Sequence, residues 1–174
     1  YYFGDDGAML QDQWLLYSQV GENPGYSELA QRNYSEYDEM WLYFGSNGRK
    51  YVASSTDRSK QREINGKDYL FDENGVMIPQ LSLRSANIRA TSSNAKVKYG
   101  SLDTDGEQKD DYWTFTVPNE VMSQDDYDTQ EHSWYSTKKN GDVIKDKIDT
   151  VLGRSYAFDE IGRMQTGFVV MIED

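Results

Sequence analysis

The residues best suited to chemistry in this 174-residue chain are its four tryptophans, Trp14, Trp41, Trp113 and Trp134. An indole offers the largest flat apolar face of any side chain. It can stack on a sugar ring or, through its quadrupole, hold a cation at about 0.5–2 kcal/mol per ring. Other reactive groups read as structural. With thirty acidic residues, the pairs Asp5-Asp6, Asp110-Asp111 and Asp125-Asp126 are expected by count and read as solvated turns rather than an acid/base couple. The lone His132 has no cysteine partner, because the chain has no cysteine, and no Gly-x-Ser-x-Gly elbow presents a nucleophile. His132 therefore reads as a loop or interface residue. The run Asp103-Thr104-Asp105-Gly106-Glu107 invites a calcium reading. In an EF-hand register, however, it places Ser101 first and Tyr112 where a bidentate glutamate is needed, so it reads as a turn. No catalytic residue, metal ligand or cofactor site emerges, and the chain reads as a non-enzyme.

Composition narrows the partners. A net charge of −12 and a pI near 4.5 oppose binding to polyanions, which depends on Lys and Arg displacing counterions. Nucleic acid and anionic lipid surfaces are poor candidates, and no apolar run approaches the roughly eighteen residues that span a bilayer. Hydrophobic residues make up 37%, lean for one thick core, while aromatic residues reach 14% and suit half-buried layers. The chain opens on Tyr1-Tyr2-Phe3 in what proves to be the middle of a repeat, and it reads as a fragment of something longer.

The elements that position the tryptophans repeat. An aromatic stretch followed by a turn around glycine occurs six times: YYFGDDGAM, WLYFGSNGRK, YLFDENGVM, YGSLDTDGE, WYSTKKNGDV and YAFDEIGRM, with turn glycines at Gly7, Gly48, Gly75, Gly106, Gly141 and Gly162. Alternating aromatics such as Tyr69 and Phe71 place rings on one strand face, and the Asp-Gly and Asn-Gly pairs tolerate the positive φ of tight hairpin turns. A second strand, often opened by Met or Val, is expected after each turn. The repeats are themselves duplicated. Gly7 and Gly106 stand 99 positions apart, as do Trp14 and Trp113; Trp41 and Trp134 stand 93 apart, as do Gly48 and Gly141; Phe71 and Phe158 stand 87 apart, as do Met77 and Met164. Two insertions thus separate the halves.

The expected fold is all-β, a β-solenoid of stacked aromatic β-hairpins in two duplicated halves of three hairpins each. Residues 1–83 form the first half, with hairpins near 1–17, 41–53 and 64–83. Residues 84–97 join the halves, with Leu81, Leu83, Ile88 and Val97 suggesting partial strand character. Residues 98–174 form the second half, with hairpins near 98–117, 134–146 and 153–172. The polar stretches 21–40, 54–62 and 122–131 read as loops, and 26–33 as the only plausible short helix.

The segments INGKDYLFDENGVM (64–77), RSYAFDEIGRMQTGF (154–168) and YYFGDDGAML (1–10) resemble the cell-wall-binding repeats of Gram-positive surface proteins, the choline-binding, glucan-binding and clostridial toxin-like repeats. That resemblance implies repeats of roughly twenty residues stacked as a solenoid. In the choline-binding branch it implies a cage built from a strand-opening Trp, an aromatic further along the strand and a Trp from a Gly-Trp pair of the adjacent repeat. Carried over position by position, the strand-opening Trp is present as Trp41 and Trp134, replaced by Tyr99, and absent at Asp68 and Ser155. The Gly-Trp pair survives as Gly167-Phe168, and its first-half counterpart is Gln80-Leu81. The candidate ligand-binding set is Trp14, Trp41, Tyr43, Trp113, Trp134, Tyr135 and Phe168, while Tyr69, Phe71, Tyr156 and Phe158 read as core.

The resemblance implies an extracellular, cell-surface or cell-wall-associated module that binds a cell-wall polymer or polysaccharide, choline-bearing teichoic acid among the candidates, through shallow aromatic sites. The alternative reading is a structural spacer or protein-interaction solenoid with decayed ligand sites.

Overall fold

The computed structural model describes residues 1–17, 40–79, 81–83, 88–99 and 106–168. The short helix expected at 26–33 and the Gly106 turn's leading residues 101–105 lie outside the described residues. The strands are β1 (Gln13–Leu16), β2 (Trp41–Phe44), β3 (Lys60–Ile64), β4 (Lys67–Phe71), β5 (Leu81–Leu83), β6 (Val97–Tyr99), β7 (Trp113–Thr116), β8 (Ser133–Ser136), β9 (Lys147–Val151) and β10 (Arg154–Phe158). They pair antiparallel in sequence order, β1 with β2 through β9 with β10, as five two-stranded sheets. The described residues are all-β apart from one short helix.

The strand ladders do not follow the glycine turns as expected; they precede them. Two tight hairpins close at Asn65-Gly66 between β3 and β4 and at Leu152-Gly153 between β9 and β10, both residues of each pair at positive φ. That pattern is the two-residue turn whose twist matches the flanking strands. The repeated glycines instead close wider loops, each pinned by one bridge: Phe3 to Met9, Phe44 to Lys50, Phe71 to Met77, Thr137 to Val143 and Phe158 to Met164. In the second of these, the Gly48 N–H donates to the Gly45 carbonyl (2.8 Å), the Gly45 N–H to the Arg49 carbonyl (3.0 Å) and the Tyr51 N–H to the Tyr43 carbonyl (2.9 Å). The same three bonds recur around Gly7, Gly75, Gly141 and Gly162.

Beside each loop, the outward-facing donor is spent on another unit. The Met77 N–H donates to the Trp41 carbonyl (2.9 Å), the Gln108 N–H to Asp68 (2.8 Å), the Val143 N–H to Val97 (2.8 Å) and the Met164 N–H to Trp134 (2.8 Å). Each bond runs to the opening of an earlier strand, tying one unit to another. Side chains repeat the link. Gly48 packs on Met9, Gly75 on Lys50 and the Tyr51 carbonyl, Gly106 on Met77, Gly141 on Gln108, and Gly162 on Val143. At Gly75 (φ 81°) a Cβ would stand 2.7 Å from the Tyr51 carbonyl oxygen, so both the backbone angle and the close approach require glycine.

Burial follows these junctions. Leu15, Leu42, Phe44 and Val76 form one apolar cluster; Tyr43, Ile64, Phe71 and Met77 another; Ile144, Val151 and Phe158 a third. The largest, with Leu81, Leu83, Val97, Tyr99, Tyr135, Val143 and Ile161, is centred on the β5–β6 pair. Of the described residues between 84 and 97, Ala90, Ala95 and Val97 enter this core, and Leu81, Leu83 and Val97 carry the strand character expected of them.

The stretch 122–131, read as a loop, contains helix α1 (Gln124–Thr129). Ser123 caps it by accepting from the Asp126 N–H, and Asp125 and Asp126 sit in the first turn, where the helix dipole favours negative charge. Asp126 is buried rather than solvated, and the Arg163 guanidinium bridges it (2.8 Å) to Asp159 (2.7 Å).

Candidate functional site

Antiparallel register decides which aromatics share a face. In β1–β2, Trp14 lies opposite Tyr43 and Leu16 opposite Trp41. Because side chains alternate along a strand, these four face one side and Leu15, Leu42 and Phe44 the other. In β7–β8, Trp113 lies opposite Ser136 and Phe115 opposite Trp134, so Trp113, Phe115, Trp134 and Ser136 share a face.

Each tryptophan-bearing face meets the following hairpin. The Trp14 ring stands 5.0 Å from Tyr69 at 70°, 5.9 Å from Phe71 and 5.1 Å from Tyr43. Trp41 and Tyr51 pack against the same cluster, beside Met77. In the other group the Trp113 ring stands 4.9 Å from Tyr156 at 69°, 5.8 Å from Phe158 and 6.3 Å from Trp134, with Met164 alongside. Phe115 extends this group outward, 5.1 Å from Trp134 and 5.3 Å from His132.

These edge-to-face rings leave half-buried indole and phenol surfaces on each tryptophan-bearing face, with Trp134 exposed on the second. The chemistry available there is stacking and cation–π attraction. Among the described residues, no three His, Cys, Asp or Glu side chains are grouped to hold a metal ion.

The charges flanking the two groups differ. Arg62 stands opposite Tyr69 in the β3–β4 register, and its guanidinium lies over the Tyr51 ring, 5.6 Å from the centroid. Asp149 stands opposite Tyr156, and its carboxyl is held below the ordinary carboxylate value by the Lys147 ammonium bonded to it, against the opposing effect of burial.

The candidate residues thus divide. Trp14, Trp41, Trp113 and Trp134 all join the two aromatic groups, Trp134 being the most open at 44% exposure. Tyr43 is buried beneath Trp14 and Tyr51, within 5.1 Å of each. Tyr135 is wholly buried on the opposite face from its neighbour Trp134, and burial pushes its phenol above its ordinary range. Phe168 is fully exposed and makes no ring contact among the described residues. Tyr69 and Tyr156, read as core, supply the second wall of each group. The signal for them was present: they too stand 87 positions apart.

Comparison with known proteins agrees with this architecture. Residues 62–77, spanning β4 and the Gly75 loop, match the family model of a putative cell wall binding repeat. No curated protein matches the chain. Among solved structures, CbpF in complex with ipratropium aligns over 97% of this chain and 43% of its own, at 17% identity and a TM-score of 0.54. The modular autolysin LytC from Streptococcus pneumoniae, in complex with a synthetic peptidoglycan ligand, aligns over 95% of this chain and 27% of its own, at 18% identity and a TM-score of 0.50. The chain spans less than half the length of either, and the likeness is one of fold.

Proposed function

We propose that this chain, which carries a cell-wall-binding repeat at residues 62–77, is a non-catalytic, extracellular wall-binding module with two aromatic sites. Trp14, Trp41 and Tyr69 line one; Trp113, Trp134 and Tyr156 line the other. The observation that carries this reading is the recurrence of one arrangement. The Trp14–Tyr69 and Trp113–Tyr156 pairs agree to 0.1 Å and 1° although their sequence spacings differ by twelve residues. Phe71 and Phe158 back each pair in the same place.

The same recurrence supports a finer architecture: two duplicated halves, near 1–83 and 98–174, stacked as a solenoid through the glycine junctions. The ligand this geometry suits is a cell-wall polymer presenting sugar rings or quaternary ammonium groups. A proteins-with-this-fold precedent exists in the LytC complex with a synthetic peptidoglycan ligand. Each shallow site contributes weakly, and repetition along a polymer raises the effective concentration of the second site. Localisation at the cell surface follows from the ligand.

Titrating choline and wall oligosaccharides while following tryptophan fluorescence tests this. A saturable change that loses one of its two phases in Trp134→Ala supports it; no saturable change with either probe leaves a structural spacer in its place.

A further inference from the structure

Beside the second aromatic group, a cleft of about 560 Å³ opens along β9. Its polar wall carries Lys138, Lys139 and Lys147, and its apolar floor is Ile144 and Val151. Loop equivalence explains why it is open. Tyr51 and Ile144 hold the same loop position, each donating its N–H to the residue eight before, and Gly45 and Lys138 hold another, each donating to the residue four after. In the first loop the Tyr51 ring lies directly on Gly45, where a Cβ would stand 2.9 Å from its Cε1 atom. With Ile144 and Lys138 in those places, the ring that fills the space is missing and a lysine lines it instead.

The charges in the cleft are unbalanced. Lys147 is bonded to Asp149, and Asp142 is engaged by Lys98 and Asn140. Lys138 has no ion pair among the described residues, and its side chain meets that of Lys147; burial first, then that neighbour, hold its ammonium below the ordinary lysine value. Asp111 also lines the cleft, so three ammonium groups face two carboxylates there. In a chain with 30 acidic and 18 basic residues, three lysines lining one cleft beside two aspartates is the reverse of the overall balance.

We infer that this cleft binds a phosphate group carried on an organic substituent, with Lys138 and Lys147 contacting its oxygens from two sides and Ile144 and Val151 contacting the substituent. Lysines act as point charges from separate elements, a loop and β9, which suits a tetrahedral oxyanion better than a planar carboxylate needing a single fork. The cleft adjoins the second aromatic group and shares Ile144, Val151, Lys147 and Asp149 with its surroundings, but the groups that would contact phosphate, Lys138 and Lys147, are not among the rings that line that group.

The test uses inorganic phosphate, with amide chemical shifts as readout. Saturable shifts confined to residues 137–151, weakened roughly five- to tenfold in Lys138→Gln and in Lys147→Gln and retained in Trp134→Ala, would support the site. Lys67→Gln, a remote exposed lysine, should leave the affinity unchanged. Absence of saturation, equal binding of acetate, or unchanged affinity in Lys138→Gln overturns the inference. Because the choline titration is read separately by fluorescence, either proposal can fail without the other.

Discussion

If the turn glycines join one unit to another, alanine at a junction must cost more than alanine at a turn that touches nothing. Gly75 and Gly66 form a matched pair for this purpose. Their φ angles are 81° and 76°, so an alanine pays nearly the same backbone strain at each, about 1–2 kcal/mol for the left-handed region. Around Gly66 nothing lies within 4 Å of the added Cβ. At Gly75 the Cβ would meet the Tyr51 carbonyl oxygen at 2.7 Å and the Lys50 Cε at 2.8 Å, and Lys50 is itself held by a 2.7 Å bond from its Nζ to the Asn74 carbonyl. A backbone oxygen cannot step aside as a side chain can, so the two units must move apart, at about 1–3 kcal/mol more. Gly66→Ala should therefore lose about 1–2 kcal/mol and Gly75→Ala about 2–5 kcal/mol. For a chain of this length each kcal/mol lowers Tm by about 2–4 °C. Urea and thermal unfolding, followed by tryptophan fluorescence and far-UV dichroism, measure both. Equal losses within about 0.5 kcal/mol would show that Gly75 serves only its own turn, and would remove the glycine column as the joint between units.

Two further outcomes follow from burial. Trp134→Ala should cost under about 1.5 kcal/mol of stability, because the ring is 44% exposed, whereas Trp113→Ala, packed against Ile144, Val151 and Phe158, should cost about 2–4 kcal/mol; the reverse order in urea unfolding would mean the ring placements are wrong. Tyr135→Phe should be neutral or up to about 1 kcal/mol stabilising at pH 7, since its hydroxyl is buried without a hydrogen-bond partner among the described residues. Burial raises the Tyr135 phenol above its ordinary value of 10.0, so the folded state holds that proton more tightly than the unfolded chain. The associated stability is whole below pH 10 and drains away above it, and Tyr135→Phe should unfold at a higher pH than its parent; an unchanged alkaline midpoint would count against the buried placement.

The features legible in the sequence were those that depend on one residue type. Only glycine meets both the positive φ and the close approach at Gly48, Gly75 and Gly162, so the loops announced themselves. Strand partners were not legible in the same way, because a backbone N–H carries no side-chain signature. Nothing in the letters around Met77 says that its donor, pointing away from its own loop, finds the Trp41 carbonyl. Tyr135 could have been placed better, since its adjacency to Trp134 in a strand forces the two onto opposite faces. Tyr43, by contrast, shares the Trp41 face and is buried only because Trp14 and Tyr51 arrive from elsewhere in the chain. Helix α1 was hidden by composition. Ser123 and Asp126 carry the spacing of a helix start, yet a six-residue helix offers no apolar stripe to read.

Similar geometry does not make the two aromatic groups equivalent toward a ligand. A ligand cation approaching Tyr69 meets the Arg62 guanidinium, already seated on Tyr51, and must work against a like charge in register with the ring it would use. One approaching Tyr156 meets Asp149 instead, though Lys147 offsets part of that carboxylate's pull. The open side differs too: Leu16 stands opposite Trp41, while Phe115 stands opposite Trp134 and adds a second exposed ring beside it. Choline should therefore load the Trp113–Trp134–Tyr156 group first, and Arg62→Gln should bring the Trp14–Trp41–Tyr69 group closer to it in affinity. Fluorescence titrations of Trp14→Phe and Trp113→Phe separate the two signals. If Arg62→Gln leaves the weaker phase where it was, flanking charge is not what distinguishes the sites, and the replacement of Phe115 by Leu16 opposite the strand-opening tryptophan becomes the better explanation.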